Sequence, residues 1–246
     1  MVCKTRVNEL YINKVDARAS TFIAHTLLQT TFLHSESSLF HLVLLCYPLC
    51  EERVMEAGRS EVGVSRVWAG LWVGAARAIT AHELDTRGIT TLVWATPEVD
   101  PPDLPDEVRV VKVLVKDDPE QDISPYFPVV AEAFKECRDS GGRGLAVVCR
   151  AGISRSASLA LAALVGQTDL EDMTLRHAYL TVKAARPFIR PNYGFFSQLI
   201  TYEVEVRGRS TVAMQESPYE AGEHVPEVYL EELSDGLGST FTFFPL

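Results

Sequence analysis

Seven residues constrain this chain more than any others: Cys149-Arg150-Ala151-Gly152-Ile153-Ser154-Arg155, directly after the apolar run Leu-Ala-Val-Val at 145–148. The apolar run reads as a buried strand, and the Ala-rich stretch 156–165 that follows the seven reads as a helix. A cysteine at a strand end, five residues, an arginine and a helix start together describe a phosphate cradle with its own attacking group. The five intervening residues are short enough to wrap a tetrahedral dianion with their backbone N–H groups. The helix N-terminus points at the same spot. Arg155 can fork onto two phosphate oxygens, and Arg150, Ala151, Gly152, Ile153 and Ser154 complete the expected phosphate-binding set. Gly152 lets the backbone approach a ligand closely.

The chemistry asks for these residue types. A free thiol titrates near ~8.5, so only a few per cent is thiolate at neutral pH. N–H dipoles, a helix N-terminus and arginines favour the thiolate, and the same groups bind the charge that spreads over phosphate oxygens in the transition state. Ser156 is placed to hydrogen-bond the sulfur when it must depart as a thiolate. A core cysteine at a strand end would be a simpler reading of Cys149 alone. The strand, loop, arginine and helix together favour the nucleophile.

A thiolate that displaces an alkoxide or phenoxide also needs an acid to protonate the departing oxygen. Upstream, Lys116-Asp117-Asp118-Pro119-Glu120-Gln121-Asp122 follows a strand-like run at 108–115 and precedes a helix. Three aspartates compete there, and loop aspartates commonly serve turns.

Around this site the pattern is α/β from Val64 onward. Buried-strand runs occur at 91–95, 108–115 and 145–148. Phe127, Val130, Phe134 and Cys137 share one helical face, with Ser124 and Pro125 as cap and first position. Leu175, Ala178, Val182 and Ala185 share another, with Thr168 and Glu171 as a capping box. Pro191 is expected to open a last helix holding Phe195, Leu199 and Tyr202. Residues 141–144 form the turn before the nucleophile's strand. The expected fold is a central mixed sheet flanked by helices, with the phosphate loop between a strand and a helix.

Composition excludes several classes. A net charge of −10 argues against general nucleic-acid binding. Any positive field is therefore local, made by Arg150, Arg155 and backbone dipoles. Five cysteines without paired spacing point to a reducing compartment. The six histidines are scattered and no Cys/His set has zinc-ligand spacing, so no metal or other cofactor is expected. Residues 1–63 read as a poorly ordered extension. The apolar stretch at 38–50 is broken by His41 and Pro48 and is shorter than the about 20 residues of a membrane span, so membrane association is not expected. A cytoplasmic location is expected, with nuclear residence and mitochondrial association left open. Beyond Arg207 the chain turns acidic and Pro/Gly-rich, so 208–246 reads as a surface or disordered tail on a domain spanning 64–207.

Residues 147–158 closely resemble the signature of the cysteine-dependent protein tyrosine phosphatases, in the dual-specificity branch. Leu71-Trp72-Val73-Gly74 resembles the early strand of that domain, and the run from Arg186 through Arg190-Pro191-Asn192 to Phe195 its late helix junction. Gly208-Arg209-Ser210-Thr211-Val212 and Val225-Pro226-Glu227-Val228-Tyr229 are similar to the tail of an atypical subgroup, dual specificity protein phosphatases 14, 18 and 21. The resemblance spans about 64–230. It implies a phosphatase-type α/β fold, Cys149 as nucleophile, Arg155 as phosphate ligand and Ser156 as the sulfur's partner. In that family the acid lies nine residues before an aromatic pair, and counting back from Tyr126-Phe127 gives Asp117. One departure stands out: the family usually has histidine before the nucleophile, and here it is Val148. That implies weaker support for the thiolate, offset in part by Arg150.

No long insertion builds a deep cleft, so a shallow site for phosphotyrosine and phosphoserine or phosphothreonine in proteins, a protein kinase among them, is expected. A phosphoinositide or RNA 5′-phosphatase is a second reading, although its sites usually carry loop lysines and this loop has none. A phosphate-binding scaffold without turnover is a third, resting on Val148.

Overall fold

Alternation along the nucleophile's strand organises the domain. Leu145, Val147 and Cys149 point into one apolar layer, while Ala146 and Val148 point into another. Because successive strand side chains face opposite ways, a run that is apolar at every position must be covered on both faces. The computed structural model describes residues 63–141, 143–218 and 222–234, and these belong to one compact unit, Arg59–Leu246. The expected N-terminal extension and the apolar stretch at 38–50 lie outside the described residues.

The main sheet contains β1 (Val64–Trp68), β2 (Leu71–Ala75), β3 (Ile89–Trp94), β4 (Arg109–Lys112) and β5 (Gly144–Cys149) in the order β1-β2-β5-β3-β4. β1 runs antiparallel to β2, and all other neighbours are parallel. The sheet is therefore mixed, as expected. One face carries the short helix α1 (Ala81–Thr86), with Ile79 and Leu84 against Trp72, Leu92, Trp94 and Val148. The other face carries α2 (Phe127–Asp139), α3 (Arg155–Val165), α4 (Leu175–Ala185) and α5 (Tyr193–Arg207). The α3 helix is buried along its whole length, since it lies between the sheet and the surrounding helices. Its Ala-rich sequence permits that close packing on all sides.

Several local expectations need correction. The strand expected over 108–115 is regular only at Arg109–Lys112, although Val113 still donates its N–H to the Trp94 carbonyl at 2.9 Å. Ser124 does not cap α2. It starts a 3-10 turn, and Asp122 accepts from its N–H and its hydroxyl. Thr168 and Glu171 do not form a capping box for α4. Its cap is Thr174, whose hydroxyl accepts from His177 N at 3.2 Å, because turns anchored by Gln167 occupy the intervening residues. Likewise α5 is capped by Asn192 rather than opened by Pro191.

The described residues after Arg207, 208–218 and 222–234, are folded onto the domain, contrary to the expected surface or disordered tail. They contain a hairpin, β6 (Met214–Glu216) with β7 (His224–Pro226), and the helix α6 (Glu227–Ser234). Val212, Val225, Val228 and Tyr229 are buried. The Tyr229 ring meets Phe196 edge-on at 5.4 Å, its hydroxyl donates to the Pro191 carbonyl at 2.7 Å, and Arg190 stacks 3.6 Å from its centroid. Tyr229→Ala is expected to cost about 3–5 kcal/mol, the usual range for emptying a core aromatic site. Urea unfolding measures this directly, and a loss below about 1 kcal/mol would mean that the segment contributes little to the core.

Candidate active site

β5 is the middle strand, flanked by the parallel β2 and β3, and Cys149 is its last residue. Loops at the carboxyl end of a central parallel strand form the usual ligand crevice of such sheets. Cys149 is a free thiol, almost wholly buried. Its Sγ lies 3.2 Å from the Gly152 N–H and 3.2 Å from Ser156 Oγ. The chain bends back to place that N–H on the sulfur because Gly152 adopts φ +74°. A Cβ there would lie 2.6 Å from the Gly74 carbonyl carbon and 2.5 Å from Arg186 Nη2, so only glycine fits.

Ser154 precedes α3 but makes no side-chain cap to it. Its hydroxyl donates instead to Asp117 Oδ1 at 2.6 Å. The first turn of α3 is thus left without a side-chain cap where the loop closes, and orphan N–H groups of this kind are suited to an anion. Arg155 is 3 % exposed. Its Nη1 donates to both Glu98 carboxylate oxygens at 2.9 Å and to the Val115 carbonyl at 3.2 Å. Its Nε is buried without a hydrogen-bond partner among the described residues, with Asp117 Oδ2 no closer than 3.5 Å. A buried guanidinium N–H left open in this way favours an acceptor oxygen beside it.

Glu98 anchors the far end of the arginine. Burial opposes its ionisation, but hydrogen bonds from Arg155, Thr96 and its own backbone, with the guanidinium charge, outweigh this and hold its carboxyl down to about 2. Its support of Arg155 is therefore present above the usual carboxylate range and lost only as pH falls toward about 2.

Of the three competing aspartates, Asp117 is the one whose carboxylate meets the loop. Asp118 accepts from Glu120 N, and Asp122 from Ser124, so both serve local turns. Asp117 Oδ1 also accepts from Asn192 Nδ2 at 2.9 Å. Two contacts hold its loop against α5. Gln198 Oε1 accepts from the N–H groups of Ile123 and Ser124, and its Nε2 donates to the Gln121 carbonyl. Gly194 packs so closely that a Cβ would lie 1.9 Å from the Pro119 carbonyl oxygen. Gly194→Ala is expected to displace the Asp117 loop and slow phenyl phosphate hydrolysis by about 10²-fold, since misplacement by an ångström can cost that much. Steady-state rates on phenyl and 4-nitrophenyl phosphate check it, with the smaller loss expected for the better leaving group.

Arg150 is exposed at the loop rim, whereas Ala151 and Ile153 are half-buried. Glu98, Arg186, Asn192, Gly194 and Gln198 are not among the expected site residues. Arg186 is fully buried behind the loop, donating Nε to the Gly152 carbonyl at 2.8 Å. Burial lowers its pKa to about 10, opposed by the nearby Cys149, so it stays charged at neutral pH. The positive field at the site thus has a third source besides Arg150 and Arg155. Val148 sits on the opposite face of β5, in the apolar layer beneath α1, and brings no polar group to the loop. No group of three His, Cys, Asp or Glu residues able to hold a metal ion occurs among the described residues.

Residues 71–205 match the dual specificity phosphatase catalytic domain. The chain belongs to the dual-specificity phosphatase family. Human dual specificity protein phosphatase 14 is 40 % identical over 171 residues, which cover 69 % of this chain and 82 % of that protein. Bovine dual specificity protein phosphatase 18 is 34 % identical over 172 residues, covering 70 % and 87 % respectively. The crystal structure of human DUSP28 superposes with a TM-score of 0.54 at 33 % identity, covering 58 % of this chain and 95 % of that one. This dual-specificity phosphatase is therefore a cysteine-dependent protein phosphatase with the protein-tyrosine-phosphatase fold, and its substrates are phosphoproteins.

Proposed function

We propose that Cys149, Arg155, Asp117 and Ser156 hydrolyse phosphotyrosine and phosphoserine or phosphothreonine through a phosphocysteine. The observation that carries this reading is the Cys149 sulfur beside the Gly152 N–H and Ser156, with the open buried Nε of Arg155 in the same loop. In the first step the Cys149 thiolate attacks phosphorus in line. The S–P bond forms, the P–O bond to the substrate breaks, and Asp117 gives its proton to the departing oxygen. Arg155 and the loop N–H groups hold the equatorial oxygens as charge spreads over them.

In the second step water attacks phosphorus and passes a proton to Asp117. The S–P bond breaks, and the sulfur leaves as a thiolate that accepts a hydrogen bond from Ser156. Every proton and electron pair is supplied by the substrate, water and the chain's own groups.

The loop contains one exposed cation, Arg150, and no lysine, which disfavours a polyanionic headgroup as substrate. A protein kinase phosphorylated on tyrosine and threonine is a fitting substrate for a phosphatase of both residue types. A cytoplasmic or nuclear location suits an enzyme that depends on a free thiol, since those compartments keep thiols reduced. Among the described residues no helix is long and apolar enough to cross a membrane. The test is hydrolysis of 4-nitrophenyl phosphate and of singly phosphorylated tyrosine and threonine peptides by the purified full chain. Release from the tyrosine peptide alone would overturn the dual preference.

A further inference from the structure

We propose that Arg186 is a positioning residue of the phosphate loop: it holds the loop's outward carbonyls so that the N–H groups behind them face the sulfur and the phosphate. The proposal rests on the phosphatase reading above. Three successive peptide groups carry the geometry. Arg186 Nη2 lies 3.5 Å from the Ala151 carbonyl, and the N–H of the same peptide, on Gly152, points to Cys149 Sγ at 3.2 Å. Arg186 Nε holds the Gly152 carbonyl at 2.8 Å. The C=O and N–H of a planar trans peptide point in opposite directions, so this bond turns the Ile153 N–H away from Arg186. The next carbonyl, of Ile153, is held from the same side by the Arg190 N–H at 2.9 Å. The junction between α4 and α5 thus grips the loop from outside, peptide by peptide.

The other end of the guanidinium is tied to the sheet edge. Nη1 donates to the Gly63 carbonyl at 3.1 Å and to Ser65 Oγ at 3.0 Å, and the group stacks 4.2 Å from the Phe188 ring. Among the described residues no carboxylate lies within 4.0 Å of it. A buried cation without an acid partner is costly. The anions that would offset this one are a thiolate at Cys149, whose charge acts on it, and a phosphate held by the loop. The other charged groups facing the sulfur's surroundings are Arg155 and Arg150 in the loop, Asp117 in the acid loop and Glu98 after β3. Asp117 and Glu98 contact Arg155, leaving Arg186 as the cation whose hydrogen bonds go to neutral groups alone.

The experiment compares the full chain with Arg186→Met and Arg186→Lys. For each, the pH dependence of iodoacetate inactivation and competitive inhibition by inorganic phosphate are measured beside a thermal melt. In Arg186→Met the midpoint of inactivation should rise by about one pH unit, which is about tenfold less thiolate at acidic pH. Phosphate inhibition should weaken by about the same factor. Arg186→Lys restores the charge without the fork and should recover the pH midpoint more than the phosphate affinity. A folded Arg186→Met protein with both quantities unchanged would overturn the proposal.

If Arg186→Met does not fold, the wild-type Arg186 Nε–H resonance provides the decision. It should shift with the same pH midpoint as inactivation and again on adding phosphate, and insensitivity to both would overturn the proposal. Absence of turnover in the wild type would sink the phosphatase reading alone, because iodoacetate and phosphate still report on the loop.

Discussion

Cys149→Ser is expected to abolish turnover of 4-nitrophenyl phosphate while leaving the binding of inorganic phosphate or a phosphopeptide intact. The serine hydroxyl is a far weaker nucleophile than a thiolate and has no base beside it. Ser156, the side chain hydrogen-bonded to Cys149 at 3.2 Å, is itself a hydroxyl. The cradle, by contrast, consists of backbone N–H groups, the start of α3 and Arg155, none of which the substitution touches. The smaller oxygen leaves the Gly152 N–H in place. Kinetics and calorimetric titration on the same preparation provide the check. Substantial hydrolysis by the variant would remove Cys149 from its role, and loss of binding together with activity would mean that the sulfur helps to hold the loop.

Asp117→Ala should slow phenyl phosphate by roughly 10²–10⁴, the range for losing a general acid. Nitrophenol departs without needing the proton, so the loss on 4-nitrophenyl phosphate should be much smaller. The geometry sharpens this expectation. Asp117 is held by Ser154 and Asn192 at the rim of the loop, whereas Asp118 and Asp122 are engaged in their own turns. Asp118→Ala should therefore show no dependence on the leaving group. If it did, the acid would be one residue further along. A uniform loss in Asp117→Ala across both substrates would instead assign Asp117 to loop structure through Ser154.

Reading the chain in one dimension succeeds where the chemistry is contiguous. Cys149 through Ser156 form their site within a single strand, loop and helix start, so the spacing alone carries the geometry. The apolar run at β5 also announces a sheet covered on both faces, because no register of a half-exposed strand would bury every residue, and β3 buries all but Thr90. Caps are harder to read. Thr168 and Glu171 have the right spacing for a box, yet the helix begins at Leu175, where Thr174 and the packing of Met173 and Leu175 set its start. Local sequence offers several compatible caps, and tertiary burial selects one.

The remaining decisions were made by tertiary structure, because they join residues far apart in the chain. Glu98 reaches Arg155 from the loop after β3, Arg186 reaches the loop from the end of α4, and Gly194 meets Pro119 backbone to backbone. A glutamate in a loop, an arginine before a proline and a glycine in a helix each have ordinary local explanations; the family-like run 186–195 marks the last two as part of a junction, but not which distant group each one meets. The tail after Arg207 was opaque for a related reason. Its composition resembles that of disordered segments, but a few side chains, chiefly Val212, Val228 and Tyr229, fill a groove that exists only once α4 and α5 have packed. Spacing along the chain could specify the nucleophile's loop. Its clamps and its docked tail required the assembled fold, since their energy comes from contacts between distant segments and not from local propensity.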